Sequence, residues 1–318
     1  MNFALRLSLP LRRLAIFVTV WGLSVSSGTV RAAESWPQVV TDGLGRSVKI
    51  DRKPLRVVSL TPANTEILFA LGAGDRVVGV TTWCTYPEEA KSRAKIGGFA
   101  AATIHLEAVV ALRPDLVIAG DEAQSLVAGT LTQLGIPVLS VKVRDFASLY
   151  AVIGQVGQLV GEREAAETLV GGLRRRVDAV VARSQLIPPE RRLRVYWEVF
   201  DAPVMSAGRT SMVGQLIELA GGINVFADVR EEYPQVNTEA VVARNPEVIL
   251  GADMTQGGAL TVEILRARPG WSTIAAVRNG RILTLPADPT SRPGPRLVDG
   301  LEKVADALYP PMAEGAGK

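Results

Sequence analysis

Residues 106–120 read LEAVVALRPDLVIAG, and residues 238–252 read TEAVVARNPEVILGA. The pentapeptide EAVVA recurs at an offset of 132 residues, each time followed by a proline, an acid and an apolar run of strand length. The preceding segments correspond more loosely: ILFALGAGDRVVGV (67–80) stands beside LIELAGGINVF (216–226), each a helix closed by glycine. Self-similarity in the same order marks a repeated structural unit. The chain is therefore expected to build two similar lobes.

The first copy lies in a stretch where helix-length and strand-length runs alternate. RVVSL (56–60) is followed by an apolar-periodic helix to Leu71, then by RVVGV (76–80), LVIAG (116–120) and IPVLSV (136–141). Such alternation implies α/β lobes of parallel strands covered by helices. Residues 37–51 instead show two alternating runs around Asp42-Gly43-Leu44-Gly45, a hairpin signal. From Phe146 to Gln185 no proline interrupts an apolar pattern of helical spacing, and Pro188-Pro189 ends it. Glycines 154, 157 and 161 weaken the pattern, so one long helix or two in line, broken near Gly161, is expected. The resulting layout is a leader over 1–32, a first lobe over 33–145 with its hairpin at 37–51, an interlobe backbone helix over 146–187 and a second lobe over 188–318. A ligand cleft is expected between the lobes.

The leader has a basic start (Arg6, Arg12, Arg13), an apolar run from Leu14 to about Ser27, and small residues around Ala32 and Ala33. That run is shorter than the roughly 20 residues a bilayer span needs, so a cleaved export signal is expected rather than an anchor. The chain carries 35 basic and 32 acidic residues, and removing the leader's four arginines takes +3 to −1. Nucleic-acid binding then has no electrostatic motive. Cys84 is the only cysteine, and none lies near the cleavage point, so a free periplasmic protein is expected rather than a lipid-anchored one.

Chemistry on a substrate would need recognisable machinery. No GxSxG, GxxxxGK[ST] or post-strand GxGxxG occurs, and His105 is the sole histidine. No catalytic residue, metal site or resident cofactor is expected.

Glu107 and Glu239 occupy matched points of the repeat, each in the first turn of a short helix; Asn237 is a fair N-cap for the second, with His105 in its place in the first. A carboxylate there complements the helix dipole by about 0.3–1 kcal/mol. Two matched copies on related lobes also suit a pair of acidic knobs offered to a two-fold partner.

Several blocks now converge. PANTEILFALGAGDRVVGVT, YPEEA, LEAVVALRPDLVIAG, YPQVNTEAVVARNPEVIL and DPTSRPGPRL resemble the helical-backbone class of periplasmic binding proteins, which carry corrinoids, siderophores and haem for ABC importers. The resemblance covers roughly residues 54–309 and is strongest to the vitamin B12 carriers. It implies two α/β lobes joined by a helix and a ligand held between them. It also implies a permease dimer, with its ATPase subunits, docking one glutamate per lobe, here Glu107 and Glu239. A monomer is expected.

The resemblance places ligand contacts at Trp83, Phe99, Tyr233 and Asp288. Trp83 lies in the turn-like TTWCTYP stretch and Tyr233 precedes Pro234, where large aromatics are poorly explained as core. Arg292 is a candidate partner for an anionic ligand. Two positions depart from the B12 carriers: Gly120 and Met205 stand where those have a tryptophan and a phenylalanine. Trp197, or Phe200, compensates if it faces the cleft. Cobalamin or a related corrinoid is the expected cargo, with a ferric siderophore or haem as the alternative.

Overall fold

The structure is a computed structural model describing residues 35–252 and 260–310; the expected leader lies outside them. An antiparallel hairpin opens the described chain, β1 (Gln38–Thr41) with β2 (Ser47–Ile50). Asp42 shapes its turn by accepting from the Leu44 and Arg46 amides at 3.0 and 2.8 Å. The first lobe follows. Its strands are β3 (Val57–Ser59), β4 (Val77–Val80), β5 (Ala94–Lys95), β6 (Leu116–Ala119) and β7 (Val138–Ser140), all parallel in the order β5-β4-β3-β6-β7. The second lobe has β8 (Arg194–Glu198), β11 (Ile223–Asn224), β12 (Val248–Ala252) and β13 (Ile282–Leu285), parallel in the order β11-β8-β12-β13. A small hairpin, β9 (Phe200–Asp201) with β10 (Val204–Met205), follows β8.

Eleven α-helices lie among the described residues. In the first lobe they are α1 (Pro62–Ala70), α2 (Leu106–Ala111) and α3 (Ser125–Gln133), followed by α4 (Phe146–Val160) and α5 (Arg163–Gln185). The second lobe holds α6 (Met212–Leu219), α7 (Thr238–Arg244), α8 (Val262–Arg266), α9 (Ala275–Arg278), α10 (Ala287–Ser291) and α11 (Leu297–Leu308).

Side chains alternate across both sheets with the strand period of two. Leu116 and Ile118 face a core shared with α1, α4, α5, α6 and α11, while Val117 and Ala119 face the layer of α2 and α3. In the second sheet Val195, Trp197, Val248 and Leu250 join the shared core, and Tyr196 and Ile249 face the layer of α7 to α9. Both faces are covered, as parallel strands require, and the near-continuous apolar strand runs follow.

The repeat has a physical basis. In each copy a short helix ends on a left-handed residue, Arg113 (φ +46°) or Asn245 (φ +41°), immediately before proline. Proline disfavours the α region for its predecessor, so the helix must stop there. The acid after the proline then ties down the neighbouring central strand. Asp115 accepts from the Leu55 and Arg56 amides at 2.8 Å each, and Glu247 accepts from the Arg194 amide at 3.0 Å. Asparagine tolerates the left-handed region better than arginine. Arg113→Asn is therefore expected to raise stability by about 0.5–1 kcal/mol, read as a higher urea midpoint at unchanged slope. An unchanged or lower midpoint would show that Arg113 earns its place by a contact outweighing the backbone strain.

The 146–187 segment is divided. Helix α4 packs on β1 and α1 of the first lobe, whereas α5 packs on α6 and α11 of the second. The two helices meet at Gly161, which is left-handed (φ +69°). Arg76 donates to the Val160 carbonyl at 2.6 Å and Lys53 to the Gly161 carbonyl at 3.1 Å, so first-lobe cations hold the end of α4. A Cβ on Gly157 would lie 2.4 Å from that of Ala166, so glycine is what lets the helices approach. The interlobe connection is thus α5 alone, about 34 Å long at 1.5 Å per residue. Arg176 fastens it to α11 through Asp299 and Glu302 at 2.6 Å each.

Candidate functional site

A cavity of about 730 Å³ lies between the lobes. The first lobe lines it with Thr61–Asn64 at the start of α1, Trp83, Phe99, Gly120, Asp121, Val141 and Val143; the second contributes Asp288, Ser291, Arg292 and Pro293. Volume and lining suit a sizeable, partly apolar ligand. It also sits beyond the carboxyl ends of parallel strands, where α/β folds usually bind ligands.

Trp83 and Phe99 are the exposed aromatics of the wall, 55% and 53% accessible. Their rings meet edge to face with centroids 6.3 Å apart. Local anchors present them. Next to Trp83, Cys84 is buried, its Sγ 3.1 Å from the hydroxyls of both Thr65 and Thr81. The Thr82 amide bonds the Gly97 carbonyl at 2.9 Å, joining the two aromatic loops. Buried Gln124 donates to the Phe99 carbonyl at 2.5 Å and the Leu60 carbonyl at 3.0 Å, and accepts from the Gly120 amide at 2.6 Å. Nothing in the sequence drew attention to Gln124 or Asp121. Their roles depend on which loops meet.

Four candidates, Trp83, Phe99, Asp288 and Arg292, thus converge on one cavity. Trp197 does not. It is 2% accessible and faces the shared core, because its place on β8 puts it on the α5–α6–α11 side; its assignment as a ligand contact is corrected to core. Its neighbour Tyr196 is equally enclosed, against Phe226 and Trp271. Met205 pairs with Phe200 in the small hairpin and bridges Gln235. Tyr233 is half-buried against the shared core, and burial, reinforced by Glu232, pushes its phenol up from the ordinary range. Neither Met205 nor Tyr233 is among the residues lining the cavity.

Behind the cavity wall lies a charge cluster that joins the lobes. Arg296, at the start of α11, grips Glu66 of α1 with two hydrogen bonds of 3.0 and 2.6 Å. The same guanidinium approaches Asp288 at 3.4 Å and stacks over the Tyr86 ring, 4.0 Å from its centroid. Arg292 pairs with Asp288 at 2.8 Å and lies 3.8 Å from Glu66. Glu66 is almost wholly buried; burial pushes its carboxyl up, against the pull of Arg296 and then Arg292. Arg296 keeps its proton, because the hydrogen bonds and charge of Glu66 and Asp288 outweigh burial and raise it further.

Glu107 and Glu239 are exposed, in the first turns of α2 and α7. Asn237 caps α7 by accepting from the Ala240 amide at 2.7 Å, whereas His105 makes no such bond for α2. Since β6 and β12 occupy equivalent places beside β3 and β8, the two helices present their carboxylates from equivalent corners of the lobes.

Two parallel α/β lobes, one connecting helix and an aromatic cleft between them define a two-lobed binding protein. The profile of the family described as periplasmic binding protein matches residues 57–289, and the chain belongs to that family. An ABC transporter substrate-binding lipoprotein of Bacillus subtilis strain 168, itself uncharacterised, is 33% identical over 282 residues, 87% of each chain. The cobalamin-binding protein of Halobacterium salinarum is 30% identical over 283 residues, 86% of this chain and 75% of that protein. Among solved structures, the periplasmic haem-binding protein RhuT from Roseiflexus sp. RS-1, in its apo form, superposes with a TM-score of 0.72 at 29% identity, covering 80% of this chain and 97% of that one. The protein is thus an extracytoplasmic substrate-binding protein of an ABC transporter, of a family that binds and transports rather than catalyses. Among the described residues no helix is long and apolar enough to cross a membrane.

Proposed function

We propose that the protein carries cobalamin or a related corrinoid in the interlobe cleft and hands it to the permease dimer of an ABC importer. It does so as a free periplasmic monomer released by leader cleavage, with Glu107 and Glu239 as the docking carboxylates. It holds no cofactor of its own; the corrinoid is cargo. The composition of the cleft carries this reading. Its exposed aromatics offer a flat apolar surface, and each such ring buries about 150–250 Å² at little entropic cost. Among the described residues its one lining arginine, Arg292, is already paired with Asp288, while Asp121 adds a second carboxylate. A wall of this kind suits a ligand with neutral hydrogen-bond donors better than one rich in carboxylates or catecholates. Similarity to a cobalamin-binding relative supports the same choice. The only cysteine, Cys84, is buried in the first lobe, which supports a free rather than lipid-anchored carrier.

One observation favours haem or a ferric siderophore instead: Gly120 lines the cavity without a side chain where the resemblance to B12 carriers calls for a tryptophan, and a Cβ there would lie 3.3 Å from both Gln124 and Thr61. Against haem, the candidate axial ligand Tyr233 lies off the cavity lining with its phenolate disfavoured. Isothermal titration with cyanocobalamin, haemin and a ferric siderophore separates the readings. Saturable heat with cyanocobalamin at micromolar protein is expected. Its absence, with binding of either iron compound, transfers the assignment to that compound.

A further inference from the structure

Opposite walls of the cleft lead, within a few residues, to the charge cluster behind it, whose buried member is Glu66. On the first lobe, Thr61–Asn64 line the cavity, and Glu66 follows half a turn later on α1. Tyr86 lies three residues beyond Trp83. On the second lobe, Asp288 and Arg292 line the cavity, and Arg296 follows four residues later. The backbones also approach closely here: a Cβ built on Gly294 would lie 3.4 Å from the Ala63 Cα.

Arg296 is the hub. Its two hydrogen bonds to Glu66 cross from one lobe to the other between residues 230 positions apart. Its contact with Asp288 reaches the cavity lining, and its face covers Tyr86. Separating the lobes by even a few ångström would strand the Glu66 carboxylate in a buried position without its bidentate partner. Leaving a buried charge unpaired is among the costliest single changes a fold can suffer. Arg292 does not replace Arg296, because at 3.8 Å it makes no hydrogen bond to Glu66 and its Nη1 has no acceptor.

We propose that Arg296 is a positioning residue for the binding function. By clamping Glu66 from the opposite lobe while steadying Asp288, it presets the separation of the cleft walls before any ligand arrives. The functional consequence rests on the cleft being the ligand site. The clamp itself does not depend on which ligand is carried, and its test contains none.

The test is interlobe distance by double electron–electron resonance in the full chain. Nitroxides are placed at Leu126→Cys on α3 and Ile264→Cys on α8, both exposed, with Cys84→Ser as background. The parent is expected to give one narrow distance distribution. Glu66→Gln keeps the side chain's shape without its charge, and Arg296→Lys keeps the charge without the fork or the ring stacking. Each is expected to add a second distance component holding more than about a tenth of the population, above the range of an ordinary minor state. A merely structural role would lower the melting temperature and leave the distance distribution of the folded protein unchanged; that outcome in both variants overturns the proposal. Should Glu66→Gln fail to fold by circular dichroism, Arg296→Lys, the milder change, decides alone.

Discussion

Trp83→Ala is expected to weaken binding of the carried ligand about thirtyfold, equivalent to roughly 2 kcal/mol. Trp83 is more than half accessible, so its apolar surface is available for a ligand to cover. At about 25 cal/mol per Å², covering most of an indole accounts for an effect of that size. Stability should change little, because the anchor of this loop is the neighbouring Cys84 and its two threonine contacts rather than the tryptophan. Phe99→Ala should act in the same direction with a smaller effect. The double variant should lose less than the sum, since the rings touch each other and share the surface they cover. Titration calorimetry, with the ligand that binds the parent, gives the values. Unchanged affinity in Trp83→Ala would remove the aromatic pair from the binding surface and leave Asp288 and Asp121 as the principal contacts.

Loss of transport without loss of binding is the second large effect expected. Glu107→Ala combined with Glu239→Ala should bring importer-dependent ligand uptake to background, while calorimetry returns the parent affinity. Both carboxylates are exposed, in lobe corners away from the cavity lining. A carboxylate so placed can accept an arginine fork from a permease, and charge pairs at an interface govern orientation and encounter more than raw affinity. The cost to folding should stay below about 1 kcal/mol, the value of an acidic residue in a first helical turn. Each single variant should retain partial uptake, because the other lobe still docks. Normal uptake by the double variant would reduce both residues to helix-end charges.

The legibility of these features differed for physical reasons. The EAVVA repeat exposed the two lobes because every element of it answers a local demand. Its helix must end before a proline, its acid must satisfy amides at the start of the neighbouring central strand, and its apolar run must be buried on both faces. Such demands leave the same mark wherever the unit recurs. Large aromatics in turns with no core to enter made Trp83 legible, whereas the same argument missed for Tyr233, which packs against the shared core; Phe99 was reached through the family resemblance. Trp197 misled for a different reason. On a strand covered on both sides, an alternating pattern says which residues share a face and not which face meets ligand. In this fold both faces of β8 are packed.

Long-range partners left no comparable trace. Gly157 and Gly161 announced weakness in a helix, yet the decision to divide 146–187 rests on Ala166, Arg76 and Lys53 meeting the end of α4. Gln124 reads as one more polar helix residue until three loops are seen to converge on its amide. Glu66 follows Asn64 and Thr65 at the polar start of α1, and Arg296 is an ordinary arginine in a proline-rich segment. Their pairing across 230 positions follows only from the approach of the lobes.

By itself the sequence determined the two α/β lobes, the family and the matched carboxylates, because each rests on local periodicity, turn chemistry or an internal copy. Only the tertiary structure decided which aromatics remain free, that α5 alone links the lobes, and that a buried ion pair behind the cleft joins its walls. Burial and charge pairing are properties of what packs against a residue, and that neighbour lies tens to hundreds of positions away.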